Sequence, residues 1–324
     1  MDSNIKSVLI ESYTPENGQI RFSELSLTYQ TFGKELGEAP IVLVNHALTG
    51  NSDVAGDKQG WWKAIIGPGL LMDTNRFTIL AFDIPGNGYA TEVFDRHDYL
   101  TARDVAFIFI EGLKLLNIQK LHAIIGGSLG GGIAWEMAVL QPELAKYIIP
   151  VAAHWCASDW MIGHNYVQES ILKHSNQPLV DARMMALLFY RTPASLSAKF
   201  NRTKVEGSTI YNIESWLQHH GDKLNTRFNL TAYRQMNYLL TSMDITHNRS
   251  NDLTEVLRVI QSTIIQVGVD SDLFFVPQDN RKTGQALQAA GIKNEYHEIT
   301  SIHGHDAFLI EHEQLTELLK PYFN

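Results

Sequence analysis

The chain has 324 residues, 44% of them hydrophobic and 19% charged, with 26 Lys and Arg against 35 Asp and Glu for a formal net charge of −9. This excludes a disordered chain, suffices for one large α/β domain or two smaller ones, and argues against nucleic acid as principal partner, because phosphate-backbone binding is driven by clustered Lys and Arg. The single cysteine, Cys156, excludes an internal disulfide framework and a cysteine-rich metal centre and fits a reducing compartment. The opening MDSNIKSVLIESYT lacks the pattern of a secretory signal, and no run approaches the ~18 apolar residues of a membrane span. The expected location is the cytoplasm, with no membrane partner.

In chain order, short runs rich in β-branched and aromatic residues at 25–32, 41–45, 77–82, 121–125, 147–152 and 263–267 read as parallel strands, most of them apolar enough to be buried on both faces. Segments with helical spacing, such as 102–116 and 133–140, lie between them, and the alternation predicts a layered α/β fold with a mostly parallel sheet. From residue 155 to residue 257 the strand-like runs vanish and amphipathic stretches at 180–190, 213–220 and 230–243 take over. This predicts a core of residues 1–154 and 258–324 with a helical lid inserted at 155–257, and a closing helix over 311–322.

The strongest local signal is Gly126-Gly127-Ser128-Leu129-Gly130, between an apolar strand pattern and a helical one. In G-x-S-x-G the glycines let the chain turn tightly enough to expose a strained serine at the head of a helix, so Ser128 is the candidate nucleophile. A dinucleotide fingerprint would need glycine at position 128, and no G-x-x-x-x-G-K-[ST] loop occurs, so phosphate binding is the weaker reading. A serine hydroxyl needs a histidine base and an acid to orient it, in the order Ser, Asp or Glu, His. The strand at 263–267 leads to Asp270 and Asp272, and a later loop carries His303 and His305. Asp272 and His305 are preferred, with Asp270 and His303 as alternates. A metal held by His303, His305 and Asp306 is disfavoured, since near-adjacent loop residues rarely converge on an ion without a distant ligand. Acyl transfer also needs backbone donors for an oxyanion: Leu129, after the nucleophile, and Leu48, in the loop after the strand at 41–45.

Asn45-His46-Ala47-Leu48-Thr49-Gly50, Trp61-Trp62 with Ile66-Gly67-Pro68-Gly69, Gly127-Ser128-Leu129-Gly130-Gly131, Ser271-Asp272-Leu273-Phe274 and Gly304-His305-Asp306-Ala307-Phe308-Leu309 resemble the homoserine O-acetyltransferase family, acyltransferases of methionine biosynthesis with the α/β-hydrolase fold. The lid joins in with Asp181-Ala182-Arg183-Met184, Tyr190-Arg191-Thr192 and Gly221-Asp222-Lys223-Leu224. The resemblance implies a Ser128, Asp272, His305 triad, with Arg183 on the homoserine carboxylate and Asp306 on its amino group, Arg191 being the second choice for the arginine. It further implies a ping-pong reaction with acetyl-CoA as co-substrate, no tightly bound cofactor, and a homodimer formed through the lid. Three departures stand out: Asp83-Ile84-Pro85-Gly86-Asn87-Gly88-Tyr89 replaces the family's asparagine-containing G-S-T-G-P-like stretch, Leu129 stands where methionine is common, and the lid before Arg183 is short. The alternatives are a succinyl donor, serine as acceptor, or an esterase or thioesterase that uses water.

Overall fold

The structure is a computed structural model and describes residues 5–56 and 60–324. Its elements run β1 (Lys6–Ile10), β2 (Leu25–Gly33), β3 (Ile41–Asn45), the two-residue strands β4 (Ile66–Gly67) and β5 (Met72–Asp73), β6 (Thr78–Phe82), α1 (Ala102–Leu115), β7 (Leu121–Gly127), α2 (Leu129–Leu140) and β8 (Ala145–Val151). Five helices follow: α3 (Asp159–His174), α4 (Pro178–Tyr190), α5 (Pro193–Phe200), α6 (Asn212–Asn225) and α7 (Leu230–Thr241). The chain closes with α8 (Leu253–Leu257), β9 (Thr263–Val269), α9 (Pro277–Ala289), β10 (Asn294–Ile299), a 3₁₀ helix (Gly304–Leu309) and α10 (His312–Phe323).

Eight strands form one sheet in the order β1-β2-β6-β3-β7-β8-β9-β10. From β6 to β10 every pairing is parallel, whereas β2 runs antiparallel to both β1 and β6. The run at 25–32 is therefore not a parallel strand. A parallel connection needs a crossover of a dozen or more residues, and only residues 34–40 separate β2 from β3. The central strands β3 and β6 are buried throughout, as their apolar runs require. Their side chains alternate between two cores. Leu43, Leu80, Phe82, Ile124 and Ile148 pack with α1 and α2 on one face, and Val42, Val44, Ile79, Ile125 and Val267 pack with Trp62 and α10 on the other.

Between β8 and β9, helices α3, α4 and α7 pack onto the first of these cores through Met161, Leu179, Ala186, Tyr233 and Met236, joined by Met243 just after α7. Where the chain leaves the sheet and returns, it pairs with itself: Ala157 N–H donates to Met243 O (2.8 Å) and Ile245 N–H to Trp155 O (3.2 Å). Beside this junction the buried Glu136 of α2 accepts from Arg249 (2.9 Å) and from Arg103 of α1 (3.3 Å). Burial pushes the Glu136 carboxyl up, and the two guanidinium groups pull it back down. Removing one partner of a buried pair leaves uncompensated charge. Glu136→Ala is expected to cost about 3 kcal/mol of folding stability, read from urea unfolding curves.

Candidate active site

The site forms at the carboxyl ends of the parallel strands, starting with the turn from β7 into α2. Ser128 has φ 55° and ψ −124°, in the left-handed half of backbone space that non-glycine residues seldom occupy. The turn is held by close backbone approach. A Cβ on Gly130 would stand 2.2 Å from the carbonyl oxygen of Asn45, and one on Gly126 2.4 Å from the backbone of Gly130. Only glycine fits at either position, and the serine is thereby projected from the strand end.

Its hydroxyl meets His305. Nε2 of His305 lies 3.0 Å from Ser128 Oγ, and Nδ1 lies 2.8 Å from Oδ2 of Asp272. All three side chains are buried, at 5% exposure or less. The other carboxylate oxygen of Asp272 accepts backbone N–H groups from Phe274 (2.7 Å) and Phe275 (2.9 Å). The imidazole stacks on Phe275 (5.4 Å, 25°) and meets the rings of Phe274, Phe308 and Tyr190. The acid fixes the tautomer with hydrogen on Nδ1 and leaves Nε2 as acceptor toward the serine, an arrangement competent for nucleophilic catalysis.

The alternates serve elsewhere. Asp270 is exposed and accepts the Ser301 N–H (3.0 Å). His303 turns its Nδ1 to Ser195 Oγ (2.9 Å) and Arg191 Nη2 (3.0 Å). Among the described residues, no group of three His, Cys, Asp or Glu side chains is arranged to hold a metal ion.

A pocket of about 60 Å³ opens on Ser128 and His305, walled by Ala47, Leu48, Thr49, Arg183, Tyr190, Asp306, Phe308 and Leu309. Leu48 thus stands in the wall beside the serine, and Leu129 is the first residue of α2, where a backbone N–H has no partner within the helix. The two arginines differ. Arg191 is engaged by Ser195 and His303 and lies 3.9 Å from Asp306. Arg183 lies over the ring of Tyr190 (5.7 Å) and, among the described residues, forms no hydrogen bond or ion pair. Burial raises the Asp306 carboxyl above its ordinary value, while Arg183, His305 and Arg191 pull it down.

The departing segment at 83–89 underpins the loop at 46–52, which the sequence reading missed. Buried Asp83 accepts from Ser52 N (2.8 Å), Ser52 Oγ (2.9 Å) and Thr28 Oγ1 (2.8 Å). His46 bridges the two segments, donating from Nδ1 to Ala47 O (2.8 Å) and accepting the Ile84 N–H at Nε2 (3.0 Å). Burial lowers its basicity and favours the neutral form that this pairing requires. The only signal was a polar residue type inside apolar surroundings, which does not reveal its partner. Helical residues also grip the triad loops: Trp160 Nε1 donates to Leu273 O (2.6 Å), and Thr192 Oγ1 donates to Ile302 O.

Residues 40–311 match the family model described as alpha/beta hydrolase fold. A homoserine O-acetyltransferase of Cyclobacterium marinum is 31% identical over 97% of this chain and 93% of its own length. The chain belongs to the homoserine O-acetyltransferase family. It is an enzyme of that family with the α/β-hydrolase fold. The crystal structure of homoserine O-acetyltransferase from Bacillus anthracis superposes with a TM-score of 0.88 at 21% identity, covering 99% of this chain and 97% of that one. Esterase E22 superposes with a TM-score of 0.87 at 17% identity over 99% of this chain and 100% of its own, so the fold alone does not separate transfer from hydrolysis.

The hydrogen bonds of Asp272 yield a sharp expectation. In Asp272→Asn only the amide oxygen can receive the Phe274 and Phe275 N–H groups, so the NH₂ faces His305 Nδ1 and drives the hydrogen to Nε2, opposite Ser128. Hydrolysis of p-nitrophenyl acetate should fall by about four orders of magnitude with the circular dichroism spectrum unchanged.

Proposed function

We propose that the protein transfers an acetyl group from acetyl-CoA to the side-chain hydroxyl of L-homoserine through an acyl-enzyme on Ser128, giving O-acetyl-L-homoserine. The observation that carries this reading is the combination, around one small pocket, of a Ser128-His305-Asp272 array with an arginine and an aspartate suited to the two charged ends of an amino acid. A planar guanidinium matches a carboxylate and an aspartate matches an ammonium.

In the first half-reaction His305 Nε2 takes the Ser128 proton as Oγ attacks the thioester carbonyl. The N–H groups of Leu48 and Leu129 receive the developing oxyanion, the C–S bond breaks, and the CoA thiolate leaves with the proton from His305. In the second, homoserine enters with its carboxylate on Arg183 and its ammonium on Asp306. His305 removes the proton of its hydroxyl, the new C–O bond forms, and Ser128 Oγ leaves with that proton. The bound alcohol outcompetes water through positioning. Arg183 is favoured over Arg191 because, among the described residues, it has no hydrogen-bond or ion-pair partner to give up, whereas Arg191 is already held by Ser195 and His303. No cofactor beyond the acyl donor is required by this scheme.

Intact-mass spectrometry after mixing with acetyl-CoA is expected to show one added acetyl group, absent in Ser128→Ala and discharged by homoserine faster than by serine or water. Mass gain from succinyl-CoA instead, or discharge at the same rate without homoserine, would replace this reading with succinyl transfer or hydrolysis. Arg183→Ala should retain acylation but lose about a hundredfold in kcat/KM for homoserine. Since Asp306 must be ionised to hold the ammonium and its pKa is raised, the KM for homoserine should climb as pH falls through that raised value. Asp306→Asn should flatten this profile.

The proposed setting is the cytoplasm, with neither nucleic acid nor membrane as partner. Among the described residues no helix is long and apolar enough to cross a bilayer. Two copies are proposed to pair through the helical insertion, where α3 exposes Trp160, Ile162, Tyr166 and Val167. Tyr166→Glu is expected to shift the protein to monomer in sedimentation equilibrium.

A further inference from the structure

The acceptor contacts and the triad leave one feature of the insertion unused. Residues 199–227 contain five Lys and Arg against three acids, in a chain of net charge −9. Two of those acids are engaged locally: Glu214 accepts the Tyr211 N–H that begins α6, and Asp222 accepts from Gln218. The cations are not neutralised. Lys199 Nζ lies 4.8 Å above the ring of Trp216, whose own ring is 4.6 Å from that of His220. Arg227, just beyond the end of α6, donates to Thr49 O (3.1 Å) in the wall of the serine pocket. Among the described residues, none of Lys199, Lys223 and Arg227 forms an ion pair with a carboxylate.

Lys199 and Lys223 stand close enough to His220 to act on its charge, and Arg183 acts on both His220 and Arg227. The basicity of His220 is pushed down to about 4, first by burial and then by the positive charges of Arg183, His219, Lys223 and Lys199. Gathering like charges without counter-charges is unfavourable until an anion arrives, and the same field draws an anion in. The patch begins at the pocket and extends outward: α6 rises about 1.5 Å per residue, so Trp216 lies roughly 12 Å further along the helix than Leu224. A polyanion docked there would have to reach Ser128 by a long flexible arm.

We propose that the face formed by Lys199, His220, Lys223 and Arg227 docks the phosphate groups of the acyl donor's nucleotide, while the donor's arm carries the thioester to Ser128. The inference rests on the reading above that the donor is a CoA thioester.

Lys199→Glu combined with Lys223→Glu tests it, with Lys114→Glu combined with Lys120→Glu as a control of equal net charge because these two lie where α1 ends and β7 begins, at the opposite end of the sheet. The readout is the ratio of kcat/KM for acetyl-CoA to that for S-acetyl-N-acetylcysteamine, a thioester without phosphates. It should fall about tenfold in the double variant, through KM for acetyl-CoA, stay unchanged in the control, and converge on the variant's value as salt is raised in the wild type. An equal loss on both donors, or no loss on either, overturns the proposal. Calorimetric binding of free CoA needs no turnover and separates the two readings. CoA binding weakened about tenfold in the double variant, in a protein that acetylates no homoserine, would sustain the docking face and sink the transferase reading. Normal acetyl transfer with CoA affinity unaltered by the substitutions would do the reverse.

Discussion

The site depends on how little space separates the end of β7 from the chain around it. Gly126 and Gly130 approach neighbouring backbone too closely for any side chain, and this crowding fixes the unusual torsion angles of Ser128. The serine cannot relax into an ordinary helical start without opening that packing. From this fixed point the remaining geometry needs only two loops. One brings Asp272 from the end of β9, and the other brings His305 from the 3₁₀ helix after β10, 177 positions beyond the serine. Parallel strands deliver all three to the same edge because their carboxyl ends point the same way.

Charge divides the surroundings of this centre. Toward the serine the protein uses neutral or fully paired groups: His46 holds the loop at 46–52 through a donor and an acceptor nitrogen, and Asp272 has both oxygens occupied. Toward the helices it leaves charge unspent, with Arg183 in no ion pair among the described residues and Lys199 and Lys223 of α5 and α6 near His220. A hydrolase of small uncharged esters would gain nothing from such an arrangement. The transferase proposed above, which would have to tell an amino acid from water and hold a polyanionic donor, would gain at both ends.

Much of this was legible in the residues. The apolar runs of β3 and β6 are fully interior and those of β7 and β9 nearly so, and they announced themselves, as the glycine spacing around Ser128 announced the turn. The edge strands β1 and β10 did not, because half-exposed strands such as Asn294–Ile299 carry Glu, His and Asn on a face that needs no apolar residue. The antiparallel direction of β2 was hidden because periodicity records burial, not direction. Residue order alone left Asp270 and His303 open beside Asp272 and His305; the resemblance pointed to the latter pair, and the hydrogen bonds to Ser128 and between the two bring them together. The contribution of Asp83 and His46 lay beyond sequence reasoning, since a buried polar residue declares a need for partners without naming them.

The backbone pairing of residues 155–157 with 243–245 has a wider meaning. It zips the two stems together, so residues 158–242 leave and rejoin the body of the protein at one point, while Met161, Leu179 and Met236 add a packed contact with the core. The helices beyond those stems can therefore move as a group only if that packed contact, and the hydrogen bonds of Trp160 and Thr192 to the loops of Asp272 and His305, move with them.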